Sequence, residues 1–101
     1  MISAEARSAA LLSIVEELLA AHPGRFSPLG AGLLAAAHRD LASDTRSFAR
    51  SFDVAHALVI RECTLLSEEQ GLLIVEDRNE RSQRRFFHLS ERGQDVMEGL
   101  N

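Results

Sequence analysis

The sequence predicts a mainly helical chain with one small β-hairpin near its C-terminal end. Apolar residues recur at helical spacing over residues 3–22 and again over 27–70, with cap and breaker residues between the segments. Residues 71–100 behave differently. They hold two short runs rich in Leu, Ile, Val and Phe, at 72–76 and 86–89, separated by a polar loop, which is the pattern of a hairpin. Ser90, followed by Glu91 and Arg92, then opens a last helix.

In chain order, Ser3 is the expected cap of the first helix, with Glu5 in its first turn. Ala9, Leu12, Ile14, Val15, Leu18, Leu19 and Ala21 form a broad apolar stripe, and His22-Pro23-Gly24 ends it. A helix this long and apolar has more surface than one small chain covers, so Leu12, Val15 and Leu19 are expected at a homodimer interface. Ser27-Pro28 starts the second helix, whose stripe is Leu29, Leu33, Leu34, Ala37 and Leu41. Ser43 or Asp44 caps a short third helix packed by Phe48, Ala49 and Phe52. After the tight junction Asp53-Val54, a fourth helix runs from Ala55 to about Gln70. Leu58, Val59, Cys63 and Leu66 are expected to face inward on it, and Gly71 suits its left-handed terminator.

The chain of 101 residues is read as one domain over 1–101, with parts at 3–22, 27–70, 71–89 and 90–100. Hydrophobic content of 46% beside 26% charged residues argues for a packed core and against disorder. Tyr and Trp are absent, so Phe and the aliphatic residues do the packing. One cysteine, Cys63, allows no internal disulfide and no cysteine-based zinc site. On the inward face of a helix it reads as a small hydrophobe rather than a redox sensor. His22, His38, His56 and His88 have no metal-ligand spacing, and no nucleophile–base arrangement or phosphate-cradling glycine loop stands out. No cofactor and no enzymatic activity are expected. With no signal-like start and no run approaching the roughly 18 apolar residues of a membrane span, the expected location is cytoplasmic.

The formal charge of −4 argues against a nucleic-acid partner until its placement is considered. Residues 77–85, the hairpin loop, carry Arg78, Arg81, Arg84 and Arg85 against Asp77 and Glu80. Four arginines without a lysine suit phosphate forks and groove insertion, although an exposed loop also carries charge for solubility alone.

The order helix, helix, short helix, tight turn, helix, hairpin, helix is that of a winged helix-turn-helix, a three-helix core plus wing, here with an extra long N-terminal helix. The stretch Ser47-Phe-Ala-Arg-Ser-Phe-Asp-Val-Ala-His-Ala-Leu-Val-Ile-Arg resembles the helix-turn-helix of bacterial MarR-type transcriptional regulators. Ala49 falls at the small crossing position and Val54 and Leu58 at locking apolar positions. Gly71-Leu72-Leu73-Ile74-Val75, the arginine loop and His88-Leu89-Ser90-Glu91-Arg92-Gly93 are similar to that family's strand, wing and helix start. The resemblance spans residues 27–97. The family's Asp-Arg-Arg wing signature is matched loosely, by Glu80-Arg81 with Arg84-Arg85. The chain resembles a short form without the C-terminal helices through which that family dimerises.

The resemblance implies that the fourth helix lies in a DNA major groove and that the wing touches the minor groove or backbone. The implied reading residues are His56, Ala57, Ile60, Arg61 and Thr64. Arg61 suits guanine O6 and N7 or a phosphate, and Ala57 or Ile60 a thymine methyl. Arg61 also fits a solvated residue paired with Glu62 or Glu68. In the wing, Arg81 is expected at the tip and in the groove, with Arg84 and Arg85 lower against phosphates. Ser43, Thr45 and Arg46, where the third helix starts, are expected phosphate anchors. The expected function is therefore a sequence-specific regulator, a repressor that occupies double-stranded operator DNA as a homodimer. No residue pattern names a small-molecule effector. The alternative is a protein-interaction module of the same fold, favoured by the acidic net charge and by the apolar character of Ala57 and Ile60 on the reading helix.

Overall fold

A computed structural model describes residues 4–78 and 81–100. Among these residues the chain is mainly helical, with five helices and a two-stranded antiparallel hairpin. The helices are α1 (Ala4–Ala21), α2 (Pro28–His38), α3 (Thr45–Ser51), α4 (His56–Thr64) and α5 (Glu91–Glu98), and the strands are β1 (Leu73–Arg78) and β2 (Arg85–Leu89). Ser3, expected to cap α1, lies outside the described residues, as does Glu80 of the hairpin loop.

α2 is the helix around which the others pack, because residues 30–36 are all buried. Its start is set locally: Ser27 Oγ accepts from Gly30 N at 2.9 Å, with Pro28 in the first turn. α1 lays Leu11, Ile14, Val15 and Leu18 against it, an i, i+3, i+4, i+7 line. This shifts the expected stripe. Leu12 is 59% exposed, whereas Val15 is buried within the chain and Leu19 packs partly against the core.

Between α3 and α4, Asp53 adopts a left-handed conformation (φ 53°), and Val54 N donates to Ala49 O at 2.9 Å. An aspartate tolerates this backbone better than most residues because its side chain bonds locally. α4 buries Val59 and Cys63, and Leu66 continues that line, but Leu58, expected inward, is 50% exposed. The helix does not run evenly to Gln70. Its last turn, Leu65–Glu69, is π-helical. Gly71 (φ 67°) then reverses the chain as its sequence position implies.

β1 is longer than its apolar run, reaching Arg78, and β2 begins at Arg85. Their register pairs Leu73 with Leu89, Val75 with Phe87 and Arg78 with Arg85, with a bulge between Val75 and Asp77. Phe87 and Leu89 point into the core while Phe86 and His88 face out. A third extended contact was not anticipated: Asp44 bridges Phe86, and Phe87 N donates to Ser43 O at 3.0 Å. The segment before α3 thus adds an edge to the hairpin. α5 starts at Ser90, whose Oγ accepts from Gly93 N and donates to Gly71 O, at 3.0 and 2.6 Å. Among the described residues no helix is long and apolar enough to cross a membrane.

Candidate nucleic-acid interface

The contact between the α3 start and the hairpin collects the charged residues. Asp44 caps α3, its Oδ2 accepting from Ser47 N at 2.9 Å, and it is only 5% exposed. The same oxygen lies 3.2 Å from Arg84 Nε. That nitrogen has no aligned hydrogen bond, so the contact is an ion pair, with the Arg84 side chain still about a third exposed. Burial works against the charge of Asp44. Hydrogen bonds from Ser47, the Arg84 guanidinium and the Arg46 amide outweigh it and hold the carboxyl below its ordinary value of 3.8.

Thr45 is the main departure from the expected site. Its side chain is fully buried, and Oγ1 both shares a 2.9 Å hydrogen bond with His56 Nε2 and accepts from Arg85 N at 3.0 Å. It therefore joins three elements and has no surface left for a phosphate. His56 is correspondingly half-buried rather than open to solvent. Burial, and then the nearby positive charges of Arg46, Arg85 and Arg84, hold its imidazole below the ordinary 6.5, with Asp44 opposing them. Thr64 is also engaged: its hydroxyl donates to Ile60 O at 2.9 Å and accepts from Arg85 Nη1 at 3.2 Å. Ile60 is half-buried.

Of the five expected reading residues, Ala57 and Arg61 remain exposed, and Leu58 joins them. The sequence signal for Leu58 was present but weak. With Val59, Cys63 and Leu66 forming the buried line, residue 58 falls at its margin, and only packing decides which side it takes. α4 also begins at Ala55 without a side-chain cap bond.

The hairpin arginines divide by position. Arg85 is tied through Nη1 to Thr64, Arg84 is paired with Asp44, and the Arg81 residue at the turn is solvent-exposed. Arg78 lies in β1 opposite Arg85, but its side chain is outside the described residues. Arg46 reaches across from α3, Nη2 donating to Ser82 O at 2.7 Å, with its Nε buried and unbonded. Ser43 is exposed, and its carbonyl is taken by Phe87. Ser82 and Asp44, which sequence reasoning did not single out as interface residues, are what hold Arg46 and Arg84 in place.

The structure therefore joins α3, α4 and the hairpin base through Thr45, Arg46, Thr64 and Arg85. The exposed surface beside this junction carries Arg61, Arg81 and part of Arg84. Leu12 lies on α1, away from this cluster in the sequence and in a different element. Among the described residues no group of His, Cys, Asp and Glu is placed to hold a metal ion. No protein-family model, no curated protein and no solved structure matches this chain.

Proposed function

We propose that the protein is a winged helix-turn-helix regulator of the MarR type that binds double-stranded DNA. In this reading α3 and α4 form the helix-turn-helix, the hairpin is the wing, and operator occupancy by a homodimer represses transcription in the cytoplasm. One observation carries the reading most strongly. The arginine-bearing hairpin is hydrogen-bonded to both helices, through Arg85 to Thr45 and Thr64 and through Arg46 to Ser82. A hairpin held this way presents its cations at a fixed distance from the exposed face of α4, which is what simultaneous groove and backbone contact requires. The uncapped start of α4 adds partial positive charge on the same element.

The adaptor reading has one specific observation in its favour: Leu58 and Ala57 make the exposed face of α4 partly apolar. Salt dependence of duplex binding separates the two. A DNA binder loses affinity steeply as salt rises, and Arg81→Ala lowers the slope by roughly one unit while weakening all sequences about equally. Absence of duplex binding at low salt removes the regulator reading.

A further inference from the structure

Leu58 occupies an unusual position. It is half exposed on a helix whose core contacts are already supplied by Val59, Cys63 and Leu66. Arg61 follows three residues later and is also exposed. On an α-helix that spacing leaves the two side chains about 60° apart around the axis and about 4.5 Å apart along it. Stacked base pairs are separated by about 3.4 Å. A helix lying along the groove can therefore set these two side chains over neighbouring base pairs.

The chemistry of each side chain narrows what it can meet. Arg61 has a guanidinium fork suited to guanine O6 and N7. Leu58 has no donor or acceptor, so it cannot satisfy a purine N7, a carbonyl or an exocyclic amine. The apolar feature that bases present in the major groove is a C5-methyl group on a pyrimidine. Ala57, exposed on the same side, is small enough not to hold Leu58 away from the groove floor.

We propose that Leu58 and Arg61 together recognise a guanine flanked by a pyrimidine bearing a C5-methyl group, with Leu58 as the specificity-determining residue for the methyl. This rests on the DNA-binding reading and adds to it the class of site that is bound. The methyl can come from thymine or from 5-methylcytosine, and the two sources are separable.

The test begins with selection of bound fragments from a randomised duplex library. The enriched site is then resynthesised with thymine, uracil, 5-methylcytosine or cytosine beside the guanine, each with its complement. Uracil removes only the methyl, and the wild-type protein is expected to bind that site about fourfold more weakly, as expected for one lost apolar carbon. Leu58→Ala, at a half-exposed position outside the buried core and with its fold checked by circular dichroism, is expected to bind the thymine and uracil sites equally. A site in which 5-methylcytosine outcompetes cytosine by the same factor extends the target to methylated CpG steps; indifference there assigns the methyl to thymine. Equal wild-type binding of thymine and uracil sites overturns the proposal while leaving DNA binding intact. So does an undiminished preference for thymine in Leu58→Ala. A library from which nothing is retained removes the DNA-binding reading itself and this proposal with it.

Discussion

Asp44 links the stability of the fold to the charge of its candidate interface, so replacing it is expected to move the two in opposite directions. Its carboxylate caps α3 and pairs with Arg84 from a nearly buried position. Loss of an N-cap costs about 1 kcal/mol. The Arg84 pair is partly solvent-screened, which limits it to about 0.5 kcal/mol. Because the Ser47 amide it leaves unbonded is part-buried, the cap loss falls in the upper part of its range, which brings the total for Asp44→Ala to about 2 kcal/mol. For a chain of this size that is a melting-temperature decrease on the order of 10 °C. Asp44→Asn keeps an equally good cap and loses only the ion pair, so its cost should be nearer 0.5 kcal/mol.

DNA affinity should respond in the other sense. Either substitution removes one negative charge and releases Arg84, so duplex binding should tighten and its salt dependence steepen by roughly one unit. The carboxyl is held below 3.8 in the fold, so its contribution to stability is present above that pH and is lost as pH falls through the folded value. The difference between wild type and Asp44→Asn should therefore close in that acidic window. Thermal melts and salt-titrated binding measure both quantities on the same samples. Weaker duplex binding by folded Asp44→Asn would refute the view that Asp44 masks Arg84, and equal destabilisation by Asn and Ala would refute the capping assignment.

Three further outcomes follow from the same contacts. His56 is held neutral below its ordinary 6.5, so protonation favours the unfolded chain and stability should fall as pH drops from about 6.5 toward the folded value. His56→Gln should flatten that part of a melting-temperature–pH profile, and an unchanged profile would exclude His56 as its source. A Cβ on Gly93 would overlap the Leu72 carbonyl oxygen and approach Leu89 Cδ2 to 3.1 Å, so Gly93→Ala should lose about 2 kcal/mol in chemical denaturation; an unshifted midpoint would contradict that packing. Leu12 is the cleanest probe of the proposed homodimer, because Val15 and Leu19 pack inside the chain. Leu12→Glu should change stability by no more than about 0.5 kcal/mol yet give a monomer by light scattering, and a persistent dimer would move the interface elsewhere.

What the sequence by itself determined is the order of the elements and several of their starts and stops. Ser27 and Ser90 cap their helices through the amides three positions on, and Gly71 acts through its own backbone, so those roles are local and legible. The alternation in β2, with Phe87 and Leu89 turned inward, is equally local, because a strand has only two faces. The arginine loop was visible for the same reason, as a run of charge between two apolar strands.

Only the tertiary structure decided which side chains within those elements remain free. Thr45 looked like an exposed phosphate anchor at a helix start, but its hydroxyl is consumed by His56, eleven residues away, and by the Arg85 amide, forty away. Thr64 is taken by Arg85, and the bridge from Asp44 to Phe86 is equally non-local. Leu58 is half exposed while Val59, Cys63 and Leu66 form the buried line of α4 and the turn after it. Periodicity gives the direction of a helix's apolar face to within about one residue. Which residue at the margin stays in solvent depends on the shape of the neighbours, and here that margin is part of the face proposed to meet DNA.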